Sequence, residues 1–223
     1  MAKPLKKYNF LTSDIPGASL ARLPVYLRVV SQLQQEQIKM TSSSELATFV
    51  AIEPSQIRKD LTYLGKFGMN GKGYTVKTLK NNLQKVLGAD ASWNAVMIGG
   101  GKLGKSTLEF INQKKSSTFR VAAIFDSNPK LIGKKISTHK IQNLNDIERT
   151  IKRRNIKIGF IATTNNYAQE AADILIENNL YYIINFSGFS PKIPDKVLLK
   201  NLDPGLQIES MTYHLRQDRL QKN

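Results

Sequence analysis

The sequence predicts an α/β chain in two parts: a small helical domain with a β wing, then an open parallel sheet with crossover helices. Three observations predict it. An apolar run at Val96-Met97-Ile98 meets glycines at 99, 101 and 104, and Ser106-Thr107-Leu108-Glu109-Phe110-Ile111 can continue as a helix. Strand-like and helix-like patterns alternate after residue 94. Before residue 88, three short helical patterns precede an Asn70-Gly71 hairpin signal. Composition narrows the function. The chain has 223 residues and is 41% hydrophobic, enough for one large domain or two modest ones. It has no cysteine, which excludes disulfides and thiol chemistry, and its two histidines, His139 and His214, are too few for a histidine-rich metal cluster. There is no 18-residue apolar run and no apolar secretory segment near the N-terminus, so no membrane span and a cytoplasmic home are expected. The net charge is +16, and residues 1–85 carry 13 basic against 5 acidic side chains. Such an excess attracts polyanions without choosing between DNA and RNA.

Residues 1–18 read as a flexible basic arm. Arg22-Leu23-Pro24 opens the first helix with Pro24 in its first turn, where a missing donor costs least. Tyr26, Val29, Val30 and Leu33 form its apolar face, and it ends near Gln37. Ser42 and Glu45 form a capping box for the second helix, whose apolar side is Leu46, Phe49 and Val50. The third helix starts at Ser55. Ile57, Leu61 and Leu64 share one face, while Ser55, Lys59 and Thr62, with Arg58 beside them, face away. An apolar back and a polar, basic front suit a DNA major groove. Gly65 and Gly68 stop this helix. A hairpin follows, with Lys72 at its tip and Gly73 and Tyr74 beginning a strand in which Tyr74 and Val76 alternate. This pattern is a winged helix-turn-helix over 19–87, with a linking helix from Lys77 to Leu87. A small helical domain with a solvated lysine-rich face is the plainer reading.

The second domain, 88–205, reads as a Rossmann-like dinucleotide-binding domain. Gly99 suits the tight turn, Gly101 lets the backbone approach a pyrophosphate, and Gly104 allows close helix–strand packing. Lys102 and Leu103 open the helix whose N-terminus faces the phosphates. Strands are predicted at 95–99, 120–125, 157–162 and 181–185, and helices at 103–114, around 144–153 and 166–179. Asp126 ends the second of these strands, 22 residues after Gly104, at the spacing of a ribose-binding acid; it favours NAD(H) over a 2′-phosphorylated form. Thr163 and Thr164 lie at the carboxyl end of the third strand, where ligands bind, or serve only as turn residues. Asn185 and Phe186 reach the same rim, and Phe186 either closes a nicotinamide pocket or simply packs. Val197-Leu198-Leu199 suggests an edge strand. A terminal helix from Gln207 to Leu220 follows an Asp203-Pro204-Gly205 turn.

Several of these stretches resemble the Rex family of redox-sensing transcriptional repressors. The resemblance covers nearly the whole chain after about residue 18. It rests on Arg22-Leu23-Pro24 with Tyr26 and Arg28, Gln56-Ile57-Arg58-Lys59-Asp60-Leu61, Phe67-Gly68, Gly71-x-Gly73-Tyr74-x-Val76, Gly101-Lys102-Leu103-Gly104, Ala168-Gln169, Asn185-Phe186 and Asn201-Leu202-Asp203. It implies a homodimer that binds a two-fold double-stranded DNA operator, NAD(H) as the cofactor, and a C-terminal domain-swapped helix over 206–223 that packs between the partner's domains. It further implies that NADH closes the dimer and releases DNA, that Arg28 and Asp203 form part of an interdomain switch, and that the protein is no enzyme. Three positions depart from the family pattern: Thr164 stands where proline is frequent, Phe110 near the nicotinamide end where an aromatic hydroxyl is usual, and Pro204 where a bulky residue is common. These departures predict weaker discrimination between NADH and NAD⁺. Two other classes compete: an NAD-dependent oxidoreductase, for which neither histidine has a catalytic context, and an architectural DNA-binding dimer indifferent to cofactor.

Overall fold

A computed structural model describes residues 15–65, 68, 73–113 and 118–221. The chain divides into two compact units, residues 1–91 and 92–223. The basic arm through residue 14, Phe67, and the hairpin tip with Asn70, Gly71 and Lys72 lie outside the described residues.

The first unit is built of α1 (Gly17–Gln35), β1 (Met40–Thr41), α2 (Ser43–Phe49), α3 (Pro54–Thr62), β2 (Tyr74–Thr75) and α4 (Val76–Val86). Helix α1 begins earlier than predicted, so Gly17 and Ala18 are helical rather than part of an arm. The Pro16 carbonyl accepts the Leu20 N–H at 2.9 Å and closes the first turn. Pro24 therefore sits inside the helix, not in its first turn, with its ring on the exposed side. Leu23, Tyr26, Val29, Val30 and Leu33 are buried as their spacing requires. In α2 both halves of the Ser42–Glu45 capping box form. Leu46 is buried but Phe49 is exposed, because the helix ends there and Val50 is already extended. Helix α3 starts one residue before Ser55, with Pro54 in the first turn. Strands β1 and β2 pair antiparallel, Met40 with Thr75 and Thr41 with Tyr74. Val76 does not continue the strand as predicted. Its N–H still reaches the Lys39 carbonyl at 3.0 Å, but it is also the first residue of α4. Leu23, Tyr26, Leu46, Ile57, Leu61, Leu79 and Leu83 make the core.

The second unit holds β3 (Trp93–Ile98), α5 (Lys102–Gln113), β4 (Phe119–Asp126), β5 (Lys135–Ile136), β6 (His139–Asn143), α6 (Ile147–Arg153), β7 (Ile158–Ile161), α7 (Ala168–Glu177), β8 (Tyr182–Asn185), β9 (Leu198–Asn201) and α8 (Pro204–Gln221). The sheet order is β5-β6-β4-β3-β7-β8-β9, parallel except for β5. The four predicted strands are present. The β5–β6 hairpin was not predicted, because its lysines and histidine hide the alternation. Side chains of β3 alternate between two cores: Val96 and Ile98 join Phe125, Ile161 and Leu175, while Ala95 and Met97 join Leu108, Ile124 and Phe160. Both faces are thus covered, as a parallel sheet demands. Strand order reverses about β3, which has β4 on one side and β7 on the other, so a crevice opens at their carboxyl ends. The β3–β4 register shifts between Ala95 and Val96 and skips Ala122, whose carbonyl accepts Arg154 Nη1 instead. Pro204 and Gly205 are helical rather than a turn. Asp203 Oδ1 accepts the Gly205 N–H at 2.8 Å at the start of α8, a favoured cap-then-proline arrangement.

Candidate nucleotide cavity and nucleic-acid interface

The loop from β3 to α5 is shaped by three glycines with different demands. Gly99 has φ +112°, and a Cβ there would lie 2.3 Å from the carbonyl oxygen of Ala162, the residue after neighbouring β7. At Gly104 a Cβ would meet the Gly99 carbonyl oxygen at 2.0 Å, so α5 lies directly against the turn. Gly101 is different: a Cβ would meet nothing within 4 Å. No protein atom accounts for the missing side chain at 101, and the space above it opens into a cavity of about 710 Å³.

Gly99, Gly101, Lys102 and Leu103 line one wall of this cavity, where the first turn of α5 leaves backbone N–H groups for an anion. Asp126 lines it from the end of β4. Its Oδ2 accepts the Gly100 N–H at 2.7 Å and its Oδ1 the Asn128 N–H at 2.8 Å. A carboxylate offers about four acceptor positions, so it keeps capacity for a pair of hydroxyls. Thr163 and Thr164 line the cavity from the end of β7, and Thr163 Oγ1 is buried without a hydrogen-bond partner. Open space over Gly101, an orphaned hydroxyl at Thr163 and a half-used carboxylate at Asp126 fit a dinucleotide.

Other predicted residues fall elsewhere. Asn185 is fully buried and committed: its amide donates to the Phe189 carbonyl and to Asn201, and its oxygen accepts from Ser187. It shapes the turn after β8 and does not line the cavity. Phe186 packs edge-on against Phe160, with centroids 5.9 Å apart, and is also outside the lining. Phe110 is 55% exposed on α5 and outside it too. Asn128, Leu131 and Leu144, with Tyr167 just before α7 and Ile174 on it, add to the walls. They carry no motif; only the rule that loops at carboxyl strand ends share one rim could have found them.

On the first unit, α3 buries Ile57 and Leu61 and exposes Ser55, Arg58, Lys59 and Thr62. Arg58 Nη1 donates to Ser43 Oγ at 3.1 Å, so this guanidinium is held against the start of α2. The Thr62 hydroxyl donates to the Lys59 carbonyl at 2.6 Å. Tyr74 is half-buried, and burial raises its phenol pKa against the opposing effect of the Arg58 charge. Gly73 has φ +78°, and a Cβ there would lie 2.3 Å from the Thr41 carbonyl oxygen. Arg28 is exposed on α1.

Asp60, within the Gln56-Ile57-Arg58-Lys59-Asp60-Leu61 stretch, is a buried and fully engaged acid. It is 0% exposed, and its carboxylate accepts four hydrogen bonds. Arg22 gives two, at 2.6 and 2.7 Å, Tyr26 one at 2.7 Å and Gln56 one at 2.8 Å. Burial alone would raise its pKa, but these donors outweigh burial and hold it well below the usual carboxylate range. The available signal was an acid at position 60 within the apolar stripe of Ile57, Leu61 and Leu64.

Comparison with known proteins agrees with this construction. A family model described as "Putative DNA-binding protein N-terminus" matches residues 14–62, and one described as "CoA binding domain" matches 90–189. A redox-sensing transcriptional repressor Rex from Desulforamulus reducens is 36% identical over 90% of this chain and 95% of its own length. One from Thermoanaerobacter pseudethanolicus is 37% identical over 94% of this chain and 93% of its own. The solved structure of RSP, a Rex-family repressor, in complex with NAD⁺ and operator DNA matches at 36% identity and a TM-score of 0.83. It covers 92% of this chain and 94% of that one. RSP in complex with NADH matches at 35% identity and a TM-score of 0.79, covering 92% of this chain and 96% of that one. A winged helix-turn-helix followed by a Rossmann-like unit defines the class: a transcriptional repressor with a nucleotide-binding fold. The chain belongs to the Rex family of redox-sensing transcriptional repressors.

Proposed function

We propose that this chain forms a homodimeric repressor that binds a palindromic duplex operator and leaves it when NADH fills the cavity. The observation that carries this reading is a relative, RSP, solved both with NAD⁺ and operator DNA and with NADH, matching over 92% of this chain in each case. Cavity geometry supports it: Gly101, Lys102 and Leu103 at the pyrophosphate, Asp126 at the ribose diol, and Thr163 and Thr164 along the dinucleotide. Asp126 disfavours an added 2′-phosphate by charge, so NAD(H) is the cofactor. On the DNA side, Lys59 reads base edges, Arg58 and Ser55 lie beside it, Thr62 borders the groove, and Lys72, Gly73 and Tyr74 are assigned to contacts with the duplex backbone. Arg28 and Asp203 contribute to the interdomain switch. A repressor of a duplex operator acts in the cytoplasm, where that DNA lies. Among the described residues no helix is long and apolar enough to cross a membrane.

Dimerisation through α8 rests on its two apolar stripes. Leu206, Tyr213 and Leu220 recur every seventh residue on one side, while Ile208, Met211 and Leu215 lie on the opposite side. All six are at least 58% exposed in the isolated chain. A helix apolar on opposite sides must be covered on both, which suits insertion between two domains of a partner. Each such side chain gains about 1.5–3 kcal/mol on full burial, and an isolated helix of this length is marginal in water.

The coupling requires that NADH bind the closed dimer more tightly than the open one; a ligand indifferent to the two states shifts nothing. Thr164 lines the cavity, so that departure from the family pattern bears on cofactor discrimination, whereas Pro204 is accounted for as the first residue of α8. An operator-binding titration with NADH and NAD⁺ added separately tests the whole reading. Operator affinity falls with NADH and much less with NAD⁺. Affinity unchanged by either identifies an architectural DNA-binding dimer instead, and NADH turnover with an alcohol or hydroxy acid identifies an oxidoreductase.

A further inference from the structure

We propose that Asp60, gripped by Arg22 and Tyr26, is a positioning group that sets the rotation of α3 and so decides which base edges Lys59 meets. The inference rests on the DNA-binding reading above and goes beyond it, since Asp60 itself touches no DNA.

Helix α3 has only nine residues and no side-chain cap at its start. Ile57 and Leu61 are its buried apolar anchors. Apolar contact is non-directional and tolerates small rotations and slides, whereas base readout does not: hydrogen-bond donors must meet base edges within a few tenths of an ångström. The Asp60 carboxylate supplies the missing direction. Three of its four hydrogen bonds come from α1, two from Arg22 and one from Tyr26, and the fourth from Gln56 one turn earlier on α3. Arg22 Nη2 lies 3.4 Å from Ser19 Oγ, which buttresses the guanidinium from α1. All acceptor positions of the carboxylate are thereby filled by donors in fixed places. Asp60 follows Lys59 directly, so any turn of α3 about its axis swings both.

Energy alone does not explain this residue. A buried ion pair is often replaced by apolar side chains of like volume at no loss of stability. An apolar residue at 60 would extend the stripe of Ile57 and Leu61 but would leave α3 free to choose its rotation. Separating these two roles is the basis of the test.

The full-length dimer is compared as wild type, as Tyr26→Phe and as the double variant Arg22→Met with Asp60→Leu. Affinities for the operator and for a scrambled duplex of equal length are measured at one salt concentration, alongside thermal midpoints. The double variant is expected to fold and to bind scrambled duplex as wild type does, with its operator preference reduced at least tenfold. Tyr26→Phe, which removes one of the four hydrogen bonds and no bulk, shows a smaller loss of preference in the same direction. A folded double variant with wild-type preference overturns the proposal. If the double variant does not fold, unchanged preference in Tyr26→Phe overturns it equally. Absence of operator preference in the wild type sinks the DNA reading itself, a different outcome from preference that survives in the variants.

Discussion

A Cβ on Gly104 would stand 2.0 Å from the carbonyl oxygen of Gly99, while one on Gly101, three residues earlier, would touch no protein atom. The two glycines therefore answer to different constraints. Gly104→Ala forces α5 away from the turn after β3. Both apo stability and nucleotide binding fall in that variant.

Gly101→Ala should separate the two properties. Its apo stability stays close to wild type, with a change of no more than about 1 kcal/mol at a helix-start position. The rise in midpoint that NADH gives the wild type disappears, because the added methyl occupies the space over the α5 N-terminus. Calorimetric titration with NADH, paired with a thermal melt of each variant, checks this. Undiminished NADH binding by Gly101→Ala would remove the pyrophosphate assignment.

Acid sensitivity follows from Asp60. Its folded pKa lies below the usual value near 3.9, despite burial, because Arg22, Tyr26 and Gln56 donate to it. Between the two values the folded state binds fewer protons than the unfolded state, so the stabilisation is full above about pH 5 and fades as pH falls. The stability gap between wild type and Asp60→Asn is expected to hold from pH 7 to about 5 and to narrow below that. Urea midpoints across this range decide the matter; a gap independent of pH contradicts the assigned direction.

Arg58 and Lys59 are adjacent on α3 but differently held. Arg58 is tied to Ser43 Oγ at 3.1 Å, whereas Lys59 is exposed. Lys59→Ala should cost about 1–3 kcal/mol of discrimination at one base pair. Arg58→Ala should weaken operator and scrambled duplex alike and lower the salt dependence, as loss of a phosphate contact does. Binding to a panel of single-base operator variants at two salt concentrations tells the two apart. The assignment fails if Lys59→Ala keeps the wild-type ranking of the panel.

The two stripes of α8 make separable demands. Tyr213→Glu places a charge on one stripe and Met211→Glu on the other, and each alone should dissociate the dimer. Sedimentation at micromolar concentration gives the answer. If one of the pair leaves the dimer intact, α8 has a single buried face and the insertion between domains is wrong.

Elements whose cause is local are legible in the order of residues alone. The Ser42–Glu45 capping box, the turn-forming Gly99 and the apolar runs of β3, β4, β7 and β8 are written in residues a few positions apart. That is the range over which backbone sterics and amphipathic period act. Tertiary structure alone decided what depends on residues distant in the chain. Asp60 reads as one more charge until α1 brings Arg22 and Tyr26 to it. Asn185 reads as a rim residue until Asn201, on the neighbouring strand β9, takes its amide. The β5–β6 hairpin forms against β4 despite a sequence without strand alternation, and Pro24 is tolerated within α1 because the helix on either side is anchored in the core. In each case a partner far along the chain supplies the hydrogen bond or the buried surface, and spacing carries no record of such a partner.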